Sequence, residues 1–156
     1  MCFYSPWQFL YWYDRPEGSP RRAGGAGGNA GVISETPELE FFDHLVTVWD
    51  ETRVINGSIG EYATIARRSG SNWFVGTMNN GTPRQLDIPL DFLAKDTKYT
   101  AHIYTDDHAV QKTTDDFVLP QTRTRVRIER KKVNSETIIK ADLLANGGQA
   151  VRLVPE

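Results

Sequence analysis

The chain has 156 residues, of which 39% are hydrophobic and 24% are charged, and its formal net charge is −2. This size and composition are typical of one globular domain and exclude a disordered chain, and the charge provides no basic field for nucleic acid or an anionic membrane. A single cysteine, Cys2, excludes an intrachain disulfide and lacks the His and Asn setting of a nucleophile.

The N-terminal segment is rich in aromatic residues. The first thirteen residues include seven of them: Phe3, Tyr4, Trp7, Phe9, Tyr11, Trp12 and Tyr13. Residues 4–13 predict a short helix with Ser5 as its N-cap and Pro6 in its first turn. Burial of apolar surface is worth about 25 cal/mol per Å². We therefore expect these rings to be covered by the domain's own core, by a partner, or by the rest of a larger protein.

The same segment gives no sign of membrane targeting. No run of residues reaches the roughly 18 apolar residues that a membrane-spanning helix needs. Residues 2–13 also lack the basic start of a signal peptide. The residues therefore leave the localisation open, and we expect no membrane partner.

A glycine-rich stretch, residues 17–32, precedes a second predicted helix. Six of its sixteen residues are glycine. Neither a Gly-Lys-Ser/Thr sequence nor a GxGxxG spacing is present, which favours a flexible surface loop over a phosphate-binding loop. The helix is expected to begin within residues 34–37 and to end near His44. Its apolar stripe comprises Leu39, Phe41, Phe42 and Leu45.

From residue 53 onward, apolar and polar residues alternate between turn sequences. The predicted strands are 53–56, 61–68, 73–78, 84–88, 99–105, 122–133, 137–143 and 150–154, and one of the turns is Asn56-Gly57. Short segments at this spacing predict a mainly β fold, an antiparallel β-sandwich of about eight strands preceded by one or two helices. No internal repeat is present, which argues against a propeller.

Asp50 and Glu51 are the first candidates for chemistry. Adjacent residues of a strand point to opposite faces, whereas the paired carboxylates of a glycosidase flank the sugar from separate segments. We therefore favour a tight corner, in which Asp50 and Thr52 bond the backbone and Glu51 pairs with Arg67 or Arg68. A self-sufficient hydrolase that uses Asp50 and Glu51 is the weaker alternative.

Other polar clusters favour structural roles. The segments 106–108 and 115–116 offer oxygen ligands but lack the spacing and the glycine of a calcium loop, and the three histidines lack the spacing of a zinc site. We expect a solvated loop and no metal in this chain. The basic run from Arg123 to Lys132 has no interleaved aromatics, so a solvated or edge-protecting strand face is favoured over nucleic-acid binding.

The segment Thr47–Arg68, with Trp73–Gly76 after it, resembles the closing region of glycoside hydrolase family 97, a family of bacterial α-glucosidases and α-galactosidases. The block Trp49–Thr52 is the most specific part of this resemblance. Other stretches that fit the family are Ser5–Leu10, Glu40–Phe42, Leu90–Leu93, Tyr99–Asp106 and Asn146–Ala150. The resemblance covers nearly the whole chain apart from residues 17–32.

The resemblance implies a place in a three-part enzyme with an N-terminal β-sandwich, a (β/α)8 barrel and a C-terminal β-sandwich that helps oligomerisation. Residues 1–50 would be the terminal helical segment of the barrel, and residues 51–156 would be the C-terminal sandwich. The family's catalytic and calcium-binding carboxylates lie upstream. The resemblance therefore implies no catalytic residue and no cofactor in this chain, and it implies calcium and a periplasmic location for the full-length enzyme.

The resulting expectation is a non-catalytic module of an enzyme that hydrolyses α-glucosidic or α-galactosidic bonds in oligosaccharides. Its structural joint would comprise Trp49, Asp50, Glu51, Thr52, Arg67 and Arg68. Its partner would be the catalytic barrel or a second copy, bound through the aromatics of residues 3–13, with no nucleic acid. The main alternative is a carbohydrate-binding sandwich that acts alone, with Glu51 and Trp73 as candidates for oligosaccharide contact and Tyr104, like Trp73, as a candidate stacking platform.

Overall fold

The computed structural model describes Cys2, Pro37 and residues 39–107 and 126–156. The predicted helix at 4–13 with its aromatics, the glycine-rich loop 17–32 and the segment 108–125 lie outside these described residues. No helix within the described ranges is long and apolar enough to cross a membrane.

The described part of the chain contains one short helix and eight strands. The helix α1 is Leu39–Asp43, and the strands are β1 (Glu51–Ser58), β2 (Tyr62–Ser69), β3 (Asn72–Asn79), β4 (Arg84–Pro89), β5 (Tyr99–Asp106), β6 (Val126–Val133), β7 (Ile138–Leu143) and β8 (Gly148–Pro155). These strands follow the predicted segments, and β1 begins at Glu51, two residues before the first predicted strand.

The strands form two sheets. The large sheet has six strands in the order β1-β2-β3-β8-β5-β6, and the small sheet pairs β4 with β7. Each pair of neighbouring strands is antiparallel. The predicted fold class, an antiparallel β-sandwich, is therefore confirmed.

The main core lies between the two sheets. Successive side chains of a strand point to opposite faces, so alternate residues of each strand face inward. The large sheet contributes Val75, Val151 and Leu153 and the small sheet contributes Ile88 and Ile139, all of them at most 1% exposed. Full burial of such a side chain stabilises the fold by roughly 1.5–3 kcal/mol. The core residues supplied by the connection between β4 and β5 are Leu90, Phe92 and Leu93.

The outer face of the large sheet carries a second, smaller hydrophobic cluster. Phe41 of α1 packs edge-on against Phe74 and Tyr104, with ring centroids 6.2 and 5.4 Å from its own. The residues after α1 that join this cluster are Leu45 and Trp49. The predicted apolar stripe is only partly buried, because Phe42 is 43% exposed.

The predicted turn at Asn56-Gly57 is wrong. β1 runs through both residues to Ser58, and the chain reverses at Gly60, whose φ of 77° glycine adopts without a steric penalty. The register between β1 and β2 shifts between Val54 and Asn56. Asn56 Nδ2 donates a hydrogen bond to the carbonyl of Asp87 at 3.1 Å. Asn56 therefore connects β1 to the small sheet and does not form a turn.

Candidate functional site at the start of β1

The residues predicted to form the joint meet where the chain enters β1. Asp50 Oδ2 accepts a hydrogen bond from the backbone N–H of Gly70 at 2.7 Å, and it lies 3.5 Å from Arg68 Nη1. The backbone N–H of Asp50 donates to the Arg68 carbonyl at 2.8 Å. Asp50 therefore fastens the incoming chain to the turn between β2 and β3, which is the arrangement that the corner interpretation predicts.

Two guanidinium groups hold Glu51. Its Oε1 accepts a hydrogen bond from Arg53 Nε at 2.6 Å, and its Oε2 accepts one from Arg68 Nε at 3.3 Å. Arg68 thus bridges the two adjacent carboxylates and is the predicted partner of Glu51. Arg53 is not among the predicted partners of Glu51, although its position two residues beyond Glu51 places both side chains on the same face of a strand.

Arg67 does not pair with Glu51, because it points to the opposite face of the large sheet. Its guanidinium carbon lies 5.7 Å from the centroid of the Trp49 ring, and its Nη2 donates a hydrogen bond to the Cys2 carbonyl at 3.3 Å. Arg67 is 2% exposed, whereas Thr52, its neighbour across the ladder, is exposed. The joint is therefore fastened on both faces of the sheet.

The surroundings of Glu51 keep it ionised. The hydrogen bond from Arg53, followed by the one from Arg68, lowers the pKa of Glu51 below its ordinary value. The proton donor of a glycosidase needs the opposite, a carboxyl group whose pKa is raised. The geometry therefore does not equip Glu51 as a general acid, and the adjacent Asp50 is engaged by Gly70 and Arg68.

Glu51, Arg53 and Arg68 also line a cleft of about 460 Å³ that includes Trp73. Trp73 is only 4% exposed, and its ring centroid lies 4.7 Å from that of Phe92. The guanidinium carbons of Arg53 and Arg68 lie 5.7 and 6.0 Å from the centroid of the Trp73 ring. Because these neighbours cover the ring, the structure argues against Trp73 as a stacking platform for a sugar.

Asp106, which the sequence analysis placed in a solvated loop, has a structural role. Its Oδ2 accepts hydrogen bonds from the backbone N–H groups of Leu144 at 3.0 Å and Gly148 at 3.1 Å. These bonds attach the turn between β7 and β8 to the end of β5. Among the described residues, no group of three or more His, Cys, Asp or Glu side chains could hold a metal ion.

A polar cluster that was not predicted from the sequence joins α1 to the outer face of the large sheet. Glu40 Oε2 accepts a hydrogen bond from Arg130 Nη2 at 2.6 Å, and Arg130 Nε donates to His102 Nδ1 at 3.2 Å. Because His102 Nδ1 acts as an acceptor, its imidazole is neutral in this arrangement. The three residues are far apart in the sequence, so only the fold brings them together.

The charges of this cluster are set by burial and by Arg130. Burial lowers the pKa of His102, which favours the neutral imidazole. Burial opposes the ionisation of Glu40, but the hydrogen bond and charge of Arg130 outweigh it and lower the pKa of Glu40. Burial and then the charge of Glu40 raise the pKa of Tyr104 to about 12. Tyr104 is 5% exposed, which argues against it as a sugar platform.

Comparison with known proteins identifies the sandwich. Residues 48–154 match the family described as "Glycosyl-hydrolase 97 C-terminal, oligomerisation". A retaining alpha-galactosidase from Bacteroides thetaiotaomicron is 28% identical over 121 residues, which cover 78% of this chain and 17% of the relative. A probable retaining alpha-galactosidase from Streptomyces bingchenggensis is 40% identical over 50 residues, which cover 32% of this chain and 8% of the relative. The chain thus spans only a small part of either relative.

Solved structures share the fold. A variant of a glycoside hydrolase family 97 enzyme from Pseudoalteromonas sp. strain K8 has a TM-score of 0.65 at 24% identity, over 76% of this chain and 18% of that one. A beta-arabinopyranosidase has a TM-score of 0.58 at 22% identity, over 81% of this chain and 18% of that one. At these identities the likeness shows the fold alone. The family match covers residues 48–154, which is more than half of this chain, and the chain therefore belongs to the glycoside hydrolase 97 C-terminal family.

Proposed function

We propose that this chain is the non-catalytic C-terminal module of a family 97 α-glycosidase, and that it supports the catalytic barrel and joins subunits. The observation that carries the proposal is the state of Asp50 and Glu51. The Glu51 carboxylate accepts hydrogen bonds from Arg53 and Arg68. The Asp50 carboxylate accepts one from the backbone N–H of Gly70. They hold the start of β1 in place, as expected of a joint between two domains.

The parent enzyme is proposed to hydrolyse α-galactosidic or α-glucosidic bonds in oligosaccharides. The two curated relatives, both named as α-galactosidases, support the first of these, and the family resemblance supports both. Calcium and a periplasmic location are proposed for that full-length enzyme, with the calcium held by carboxylates on the strands of its catalytic barrel.

The proposed partners are the catalytic barrel and a second copy of this chain. The word "oligomerisation" in the family description supports subunit contact in general. A contact through the aromatics of residues 3–13 stays a prediction, because those residues lie outside the part of the chain that the structure describes.

The test of the non-catalytic role is an activity assay on the purified chain. We expect no release of p-nitrophenol from p-nitrophenyl α-galactoside or α-glucoside, and no difference between the wild type and Glu51→Gln. A robust turnover that Glu51→Gln abolishes would contradict the proposal and restore Glu51 as a catalytic residue.

Calorimetry distinguishes the proposed non-catalytic module from the alternative, a carbohydrate-binding sandwich. The burial of Trp73 and Tyr104 leaves neither ring open for stacking. Titration of the chain with maltooligosaccharides should therefore give no heat of binding. A saturable heat that Trp73→Ala removes while the fold is retained would favour the alternative.

A further inference from the structure

The two edges of the large sheet differ in charge. β6 carries four basic residues and one acidic residue: Arg127, Arg130, Lys131, Lys132 and Glu129. β1 carries only Glu51 and Arg53, which pair with each other at 2.6 Å. Charged side chains on an edge strand hinder pairing with another strand. The β6 edge is therefore protected against association, whereas the β1 edge is not protected in this way.

Among the described residues, the first half of β1 has no strand paired along its outer edge. β1 pairs with β2 on one side, and Asn56 connects its second half to β4 through the carbonyl of Asp87. Within the described ranges, no strand lies beside residues 51–54 on the other side. Val54 in this half is 72% exposed. The open half thus presents backbone hydrogen-bonding groups together with the apolar Val54 and the mutually paired Glu51 and Arg53.

An apolar surface continues from this edge onto the outer face of the large sheet. Val54 pairs in register with Ile65, and Ala63 pairs with Met78. We call these four residues the β1 patch. Val54 and Met78 are 72% and 39% exposed. An exposed apolar patch beside an unpaired strand edge is typical of an interaction surface.

We propose that the open half of β1 and the β1 patch bind a second copy of this chain, with the two β1 strands antiparallel across a two-fold axis. Such a contact places one surface against itself, so a strand of high net charge repels its own copy. The single acidic and single basic residue of β1 cancel, whereas the β6 edge carries four basic residues and one acidic residue, a net charge of +3, and would repel its own copy. The inference rests on the proposed assembly function and names the surface that performs it.

The experiment is sedimentation velocity of the full chain from about 1 to about 100 µM. We expect a concentration-dependent dimer in the wild type. Val54→Lys should raise the dissociation constant at least about tenfold, because pairing would bury an uncompensated charge. The matched control is Ile138→Lys, which places the same charge at a 55% exposed β-branched residue of the small sheet and should leave the dimer intact. Circular dichroism should show the same fold for all three proteins.

The possible outcomes distinguish the surface that binds from the partner that it binds. If the wild type forms a dimer and Val54→Lys leaves its dissociation constant unchanged, the dimer contact is not at the β1 patch, although the proposed self-association stands. A wild type that stays monomeric over the whole range overturns the second copy as a partner and favours the catalytic barrel as the occupant. Hydrogen exchange gives a second readout: the β1 amides should become more protected as concentration rises, while those of β6 should not. Equal changes on both edges would overturn the assignment to β1.

Discussion

The inner and outer faces of the large sheet are buried by different parts of the chain. The inner face is covered by the small sheet and by the connection between β4 and β5, and its residues Val151 and Leu153 are at most 1% exposed. The outer face is covered by α1 and the residues after it, chiefly through Phe41, and it leaves Val54 exposed. The strands therefore complete their own inner core, whereas the outer face depends on the segment that precedes β1.

The largest expected loss of stability comes from the inner face. Leu153→Ala should lower the free energy of unfolding by about 2–5 kcal/mol, because the close-packed site between two sheets cannot collapse around the missing atoms. Urea unfolding measures the change. The control is Val154→Ala, which changes the next residue of β8 on the outer face and should cost less than about 1 kcal/mol. Equal losses for the two variants would contradict the difference between the faces.

Phe41→Ala tests the outer face. We expect a loss of roughly 1.5–3 kcal/mol, the transfer term for a buried phenylalanine. A cavity term is not expected, because α1 lies on the surface of the sheet and can move when the ring is lost. The adjacent Phe42→Ala removes a ring that is 43% exposed and should change stability by less than about 1 kcal/mol. A larger loss for Phe42→Ala would show that the second ring is buried in solution.

The inner face could be predicted from the sequence because its signal is local. The alternation of Tyr99, Ala101 and Ile103 with Thr100 and His102 along one strand is enough to place the first three on one face, and all three lie in the inner core. The edge-protecting role of the basic run was predicted for the same reason, since a strand with many charges is readable without knowing its partners. The fold class and most of the strands can therefore be predicted from the sequence, the extent of β1 beyond Asn56 being the exception.

The outer face and the joint could not be predicted in detail, because their contacts depend on the register between distant strands. Arg67 and Arg68 are equivalent candidates in the sequence, and only the pairing of β1 with β2 decides which of them meets Glu51. The contact between Glu40 and Arg130 likewise joins residues from opposite ends of the chain. The Asn56-Gly57 error has the same origin, since the contact with Asp87 that keeps Asn56 in β1 is a tertiary one.

Arg68→Ala tests how much the contacts of the joint on the inner face of the large sheet contribute to stability. We expect a loss of about 0.5–1 kcal/mol, because its ion pairs with Asp50 and Glu51 are partly exposed to water. The loss should shrink as salt is added, since salt screens exposed charges. The control Lys140→Ala breaks a single pair with Asp87 in which both side chains are more than half exposed, and it should have a smaller effect. A salt-independent loss for Arg68→Ala would assign its role to packing over Trp73.

Acidification should weaken the attachment of α1 to the outer face in two steps. His102 has a lowered pKa in the folded protein, so stability falls as the pH drops through the ordinary histidine value of 6.5. Glu40 also has a lowered pKa in the folded protein, so its contribution is present above the ordinary value of 4.5 and is lost as the pH falls through the folded value below it. The inner core between the sheets contains no such group and should not respond.

The two steps can be separated by substitution. Urea unfolding at about pH 7.5, 5.5 and 4 should show losses below about 1 kcal/mol per step, because both groups are partly exposed. His102→Gln should remove the first step and keep the second. Glu40→Gln should reduce the second, leaving the part that arises from the lowered pKa of Glu51, and it should keep the first, because the loss of its carboxylate removes a charge that favours protonation of His102. If His102→Gln still shows the full loss between pH 7.5 and 5.5, that loss arises elsewhere, and the outer face is held by Phe41 and its neighbours without help from this cluster.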